Sequence, residues 1–245
     1  TDEFMDAVDT KAMFLCTDVG MPKVIRKKYD DANLIMNKIA QAAWECGDPG
    51  VQYHDTINKW HTTPSEGEIE ASNPCSEYMH LNNSACNLAS LNLVKFWKDD
   101  DIDYKSFEKA VAITIVAQDI IVSLSSYPTK EIEENAKQFR QLGIGFCNLG
   151  ALLMQEGISY DSDKGRFIAS AFASIMTGYG YVVSAWLAKT TGCNILQHEE
   201  IIEIIKLHSN EYNNIMYNQS LINGMKVPNY FNRLLNYLNL SAYQS

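Results

Sequence analysis

Apolar positions recur at helical spacing from about Lys28 to Glu45. Ala32, Ile35, Met36, Ile39, Ala40 and Ala43 fall on one face and Gly47 follows as a stop, which predicts a helix. "GDPG" (Gly47 to Gly50) then predicts a turn, because a proline and two glycines set its backbone. The periodicity lapses in "VQYHDTINKW", which reads as extended chain, and in "TTPSEGE", which reads as a loop. "ASNPCSEYMHLNNSACNLASLNLVKF" (Ala71 to Phe96) reads as a loop entering a strand at "ACNLASLNLVKF". From Tyr104 onward the pattern turns helical. Phe107, Val111, Ile115, Ala117, Ile121 and Val122 mark one apolar helix that ends before "SSYP", and a second long helix spans about Asp163 to Thr190. Further helices fit "EEIIEIIKLH" and "YFNRLLNYLNL", and "QLGIGFCNLGALLM" mixes a short extended piece with a helix. A strand-rich first third followed by many helices suggests a segment of a larger α/β protein rather than a free-standing fold.

Composition narrows the classes. A chain of 245 residues with 46% hydrophobic content can bury a real core. Its formal charge of −10 excludes nucleic-acid polymer as a partner class, since that needs a basic face against the phosphates, but leaves a nucleotide ligand open. The apolar runs fall short of the roughly 20 residues that span a bilayer and the acidic N-terminus lacks a signal-peptide pattern, so a cytoplasmic protein without membrane contact is expected.

Six cysteines without a CxxC pair are too sparse for a disulfide scaffold, so buried free thiols are the default. Cys16, Cys46, Cys147 and Cys193 have no chemically suited neighbours and are expected in the core. Cys75 differs, standing between Asn73 and Glu77 at alternate positions. In extended chain those three side chains would share one face, while Pro74 and Ser76 point the other way. Pro74 lacks a backbone donor and suits a loop tip, so the triplet is expected on an ordered loop inserted into a cavity.

A nucleophilic cysteine needs a cation, a base or a helix N-terminus to lower its pKa. Here the close partner is an acid, and a carboxylate in an apolar setting keeps a thiol protonated. That favours a cysteine whose S–H hydrogen itself reacts, with Glu77 as base for a substrate hydroxyl and Asn73 as an orienting amide. The bland alternative is a loop cap, a buried thiol and a solvated acid. Two rival chemistries use the same side chains. A zinc site could be built from Cys46, His54, His61 and Cys75, although the spacing matches no closed ligand pattern. A Cys/His hydrolase could pair Cys75 with His54, His61 or His80.

"ASNPCSEY" resembles the active-site finger loop of ribonucleotide reductases, whose pattern is Asn-x-Cys-x-Glu. The resemblance extends to "AAWECGDPGVQYHDTINKWHTTP", "ACNLASLNL", "FRQLGIGFCNLGALLM" and "MTGYGYVVSAWLAKTTG", covering nearly the whole chain. It implies an α/β fold: part of a ten-stranded α/β barrel with a finger loop at about 71–85 and a helix-rich C-terminal two-thirds. It also implies that Cys75 becomes a thiyl radical abstracting the 3′-hydrogen of a ribonucleotide. Glu77 would then take the 3′-hydroxyl proton, and Asn73 would bind the substrate hydroxyls. Ser72, Asn73, Pro74, Cys75, Ser76 and Glu77 would line the substrate. Cys86, eleven positions after Cys75, matches one of the two cysteines that end as a disulfide, its partner belonging upstream. A thioredoxin-like reductant would restore them.

The short Cys75 to Cys86 spacing and "GDPGVQYHDTINKWH" resemble the adenosylcobalamin-dependent class, with adenosylcobalamin as cofactor and no protein-bound metal. The alternative is the oxygen- and iron-dependent class, in which the second cysteine lies farther along. The chain opens at "TDEFMDAV", beyond the family's allosteric loops and first redox cysteine. It ends at "YLNLSAYQS" without the Gly/Thr/Ser-rich phosphate loop. The resemblance therefore implies residues 1–245 to be a fragment of the catalytic barrel, incomplete alone. The missing segments would act in trans or through a homodimer. A non-catalytic piece that only binds a partner chain is the remaining alternative.

Overall fold

The structure, a computed structural model, describes residues 1–17, 27–191, 199–223 and 227–235. They fall into two compact units: Thr1–His61 with Glu68–Ala71, and Thr62–Gly67 with the chain from Ser72 onward.

The first unit opens with helix α1 (Asp2–Asp9), capped by Thr1 Oγ1, which accepts from the Phe4 N–H. Strands β1 (Met13–Thr17) and β2 (Lys27–Asp31) pair antiparallel, with Met13 opposite Asp31. Helix α2 (Ala32–Cys46) follows at once. Its start corrects the expectation of a helix from Lys28. The Asp31 carboxylate accepts from the Asn33 and Leu34 N–H groups, so the cap sits there and the residues before it complete the hairpin. Gly47, at φ 80°, closes α2 as expected, its N–H bonding the Ala43 carbonyl. "VQYHDTINKW" is not wholly extended, because His54–Lys59 forms helix α3. With a single large apolar residue, Ile57, α3 carries little periodicity. A side-chain clamp holds it: Asn58 accepts from the Ile69 N–H (2.9 Å) and donates to the Ile69 carbonyl (3.1 Å). The first third is therefore as helical as it is extended.

In the second unit, strand β3 (Asn87–Asn92) leads through a 3₁₀ turn (Leu93–Phe96) into a small antiparallel pair, β4 (Trp97–Lys98) with β5 (Asp101–Ile102). Helix α4 (Tyr104–Leu124) begins at the cap Asp103 and ends before "SSYP", as expected. Its buried stripe is Phe107, Val111, Ile115, Gln118 and Val122, so Gln118 replaces the expected Ala117 and Ile121, which are exposed. Helix α5 (Lys130–Phe139) escapes the sequence pattern because only Ile132, Ala136 and Phe139 are apolar in ten residues. It ends at Arg140, φ 52°. Arg140 donates from Nε to Asp119 Oδ1 at 2.7 Å.

Strand β6 (Leu142–Cys147) then returns parallel to β3, with Asn87 opposite Leu142 and Leu88 opposite Gly143. A parallel pair needs a long crossover, here supplied by α4 and α5. Helix α6 (Leu149–Gln155) follows, matching the expected mixture of strand and helix. Helix α7 (Asp163–Thr191) packs on α4 through Phe172, whose ring meets Phe107 edge-on at 5.1 Å. On α7, Gly178 is required against residues 230–235, since a Cβ would stand 2.9 Å from Tyr230 Cβ. Helix α8 (Glu199–Asn223) covers "EEIIEIIKLH". Residues 230–235 are helical, while the rest of "YFNRLLNYLNL" lies outside the described residues.

Among the described residues α7 is long and apolar enough to cross a membrane, with mean hydropathy 1.3, which corrects the expectation that no run approaches that length. Phe167, Ile168, Phe172 and Ile175 on it are fully buried, which is how a core helix behaves. The described strands form three two-stranded sheets; the ten-stranded barrel that the resemblance implies is not among them.

Candidate active site

Residues 72–79 do not run as extended chain. Ser72 and Met79 form an antiparallel bridge, and the Ser76 N–H donates to the Asn73 carbonyl at 3.1 Å, so Pro74 and Cys75 occupy the two central positions of a β-turn. Proline at the first of these has its φ preset, and Ser76, at φ 64°, turns the chain back. Asn73 closes the loop from inside: its Oδ1 accepts the Tyr78 N–H at 3.0 Å. Ser72 Oγ donates to the Asn73 carbonyl at 2.8 Å. The expected loop tip is present, but the strict alternation of 73, 75 and 77 is not. Cys75 stands exposed on the tip, and Asn73 points one amide group back into the turn.

The Glu77 carboxylate acts on Cys86 through its charge. Burial pushes the half-buried Cys86 thiol upward from its ordinary pKa, and the Glu77 carboxylate adds to the rise. Cys86 is therefore a neutral thiol at physiological pH. Its Sγ donates to the Asn87 carbonyl at 3.4 Å. It fits there because residue 143 is a glycine: a Cβ would meet Cys86 Sγ at 3.1 Å, the Asn87 carbonyl oxygen at 3.2 Å and Leu88 Cδ2 at 2.3 Å. The Tyr78 phenol is pushed up to about 12, chiefly by burial, with the Ser84 hydroxyl opposing and Cys86 adding to the shift. Tyr78 thus links the turn to the Cys86 thiol: its N–H is held by Asn73, and the charge of Cys86 adds to the rise of its phenol.

Glu77 also lines a cavity of about 500 Å³ in this unit, together with His80, Gln141, Gly143, Thr177 and Tyr181. Gln141 Nε2 donates to His80 Nδ1 at 2.8 Å, and the imidazole packs between Tyr78 and Phe139. Asn73 and Cys75 lie outside that lining. Tyr78, Gly143 and Gln118 were not singled out in the sequence, and His80 enters there only as a base for the rival hydrolase. The signal for Gln118 was present, since 107, 111, 115, 118 and 122 keep helical spacing more faithfully than the set containing 117 and 121.

The other thiols depart from expectation. Cys46 and Cys147 are exposed and Cys16 is half-buried, while Cys193 lies outside the described residues. Cys46 ends α2, its Sγ donating to the Ala42 carbonyl at 3.2 Å, and Cys147 ends β6, where the strand leaves its partner. Among the described residues no three His, Cys, Asp or Glu side chains are grouped to hold a metal ion. His54 instead shares hydrogen bonds with Asp55 and Asn58.

Comparison with known proteins adds an independent line. A family model described as "Ribonucleotide reductase, barrel domain" matches residues 16–195. A vitamin B12-dependent ribonucleotide reductase of Streptomyces clavuligerus is 52% identical over 196 residues, 78% of this chain and 20% of that protein. A protein of the same description from Streptomyces coelicolor is 49% identical over 221 residues, 86% of this chain and 22% of its own length. A vitamin B12-dependent ribonucleoside-diphosphate reductase of Mycobacterium tuberculosis is 31% identical over 192 residues, 78% of this chain and 28% of its own. The chain thus spans about a fifth of the length of the first two relatives.

Proposed function

Since the chain belongs to the ribonucleotide reductase barrel-domain family, we propose that it carries the radical loop and one redox cysteine of an adenosylcobalamin-dependent ribonucleotide reductase. The observation that carries this reading is the 72–79 turn. It sets Cys75 on an exposed tip and leaves the Glu77 carboxylate where its charge raises the neutral Cys86 thiol. In the ten-stranded barrel of the complete protein, the parallel β3 and β6 would be two neighbouring strands.

A bulky cofactor can reach Cys75 without displacing packed side chains, so Cys75 is the residue that would meet adenosylcobalamin. When bound, that group supplies the one-electron chemistry that no side chain provides. The chain's own residues do the rest. Cys75, as a thiyl radical, takes the hydrogen atom from C3′ of the ribose. Glu77 accepts the 3′-hydroxyl proton. Asn73 has its Oδ1 committed to Tyr78, so its Nδ2 group donates to the substrate hydroxyls. The C2′–O bond breaks and the oxygen leaves as water. Cys86 and a second thiol deliver two electrons and two protons and become a disulfide. Cys75 returns the hydrogen atom to C3′. The balance is one ribonucleotide and two thiols giving one deoxyribonucleotide, water and a disulfide. A thioredoxin-like dithiol in the cytoplasm would then reduce that disulfide.

The test uses the complete reductase chain containing this segment, with tritium at C3′ of the substrate. Cys75→Ser should abolish tritium exchange, because a serine O–H is too strong to yield a useful radical. Cys86→Ser should keep exchange but release free base instead of forming deoxynucleotide. Exchange in Cys75→Ser would remove the radical assignment, and turnover requiring oxygen and an iron subunit would move the protein to the other class. Rapid alkylation of Cys75 at neutral pH, without any reductase activity, would favour a hydrolase instead.

A further inference from the structure

The reaction as proposed leaves Gln118 without a role, yet it is the polar member of the buried stripe on α4, only 3% exposed. An amide in such a place is costly unless its donors are used. Both donations of Nε2 go to backbone: to the Asn87 carbonyl at 3.1 Å and to the Gly143 carbonyl at 2.7 Å. Asn87 replies with Nδ2 to the Gln118 carbonyl at 3.2 Å. Those two carbonyls belong to β3 and β6, one register step apart. The residues that carry them, Asn87 and Gly143, also form the two walls of the slot that holds Cys86. Cys86 Sγ donates to the Asn87 carbonyl, and it lies against the bare Cα of Gly143, 3.1 Å from where a Cβ would stand. One side chain on the helix therefore grips both strands at the point where the thiol is seated.

The geometry points to Gln118 as a positioning residue that fixes the Cys86 slot and so sets the aim and the solvent access of that thiol. A carbonyl oxygen has two lone pairs, and at Asn87 they serve Gln118 and Cys86. Without the amide, the β3 and β6 walls are held by ladder bonds alone and water reaches the sulfur. Glu77 and Tyr78 are the titratable groups acting on Cys86, and neither is touched by Gln118. Only the consequence for turnover rests on the proposed redox role of Cys86.

The test is the pH profile of Cys86 alkylation by iodoacetamide, read by peptide mass spectrometry on the 245-residue chain. Gln118→Met keeps the length and removes both donors. It should raise the Cys86 rate at neutral pH by about threefold or more and move the profile downward, because rate follows the thiolate fraction. Val111→Ala, on the same stripe, loosens the core without touching the clamp and should leave the profile in place. A parental profile in Gln118→Met, or an equal shift in Val111→Ala, overturns the assignment. If Gln118→Met does not fold, Gln118→Leu decides, since it also removes both Nε2 donations while keeping an apolar side chain of similar volume. It should shift the profile in the same direction, and no change overturns the proposal. In the complete reductase, Gln118→Met should raise base release relative to deoxynucleotide while C3′ exchange persists. A shifted alkylation profile with unchanged products would keep Gln118 as the clamp and count against Cys86 as the reductant.

Discussion

Gly143→Ala tests whether the Cys86 slot is as tight as its geometry says. The new methyl carbon would meet three neighbours at 2.3, 3.1 and 3.2 Å. The shortest contact is the easiest to relieve: Leu88 is 66% exposed, and its Cδ2 can turn away for about 0.5–1.5 kcal/mol of rotamer strain. The Asn87 carbonyl oxygen is strand backbone gripped by Gln118, and Cys86 Sγ is seated on it, so both must yield by several tenths of an ångström. Overpacking of this kind costs about 1–3 kcal/mol. Losing a glycine from the unfolded chain offsets about 0.4–1 kcal/mol. The expected net loss is about 1–2 kcal/mol, taken from the ranges for overpacking and chain entropy. Because the chain has two compact units, a global melting curve is a poor reporter. Pulsed alkylation of Cys86 across a urea series reads the β3–β6 region directly, and its midpoint should fall. Gly150→Ala on α6 is the control, since nothing lies within 4 Å of its added Cβ and helix propensity favours alanine by up to about 1 kcal/mol. A Gly143→Ala midpoint at or above the parent would refute the account of the slot.

Glu77→Gln should lower the pH at which Cys86 becomes reactive while leaving it above the ordinary thiol range, because burial is the larger cause and remains; a profile unmoved by the change would mean that the carboxylate does not reach the sulfur. Asn73→Ala removes the acceptor for the Tyr78 N–H and should cost about 1 kcal/mol in the turn, read as faster amide exchange at Tyr78, with C3′ exchange lost in the complete reductase; a protected Tyr78 amide would show that the turn holds without it. Cys86 and Tyr78 both have raised folded-state pKa values, so above about pH 8.5 the folded unit keeps protons that the unfolded chain has released. Stability is then full below that pH and declines as pH rises through the folded values, so the urea midpoint at pH 10 should lie below that at pH 7.5; an equal or higher midpoint contradicts the shifts.

Local chemistry determined much of this protein from sequence alone. The helices α4, α6 and α7 follow from 3.6-residue periodicity, and the stop at Gly47 from its freedom at positive φ. Pro74 signalled the loop tip, and the residue types at 73, 75 and 77 pointed to a thiol paired with an acid at Cys75, whereas the structure sets the charge of Glu77 on Cys86, which the sequence offered only through the family resemblance. What the sequence left open depends on partners distant along the chain. Helix α3 exists because Asn58 grips Ile69, and α2 starts late because β2 pairs with β1. Alternation at 73, 75 and 77 assumed an extended strand, whereas the Asn73 amide folds back on Tyr78 and makes a turn. The slot for Cys86 could not be seen from its neighbours, because its walls come from β3 and β6, more than fifty residues apart, and its clamp comes from α4 between them. Residue type and spacing report what a side chain can do. Tertiary structure decides which backbone it meets, since contact across such distances depends on how the intervening crossover packs.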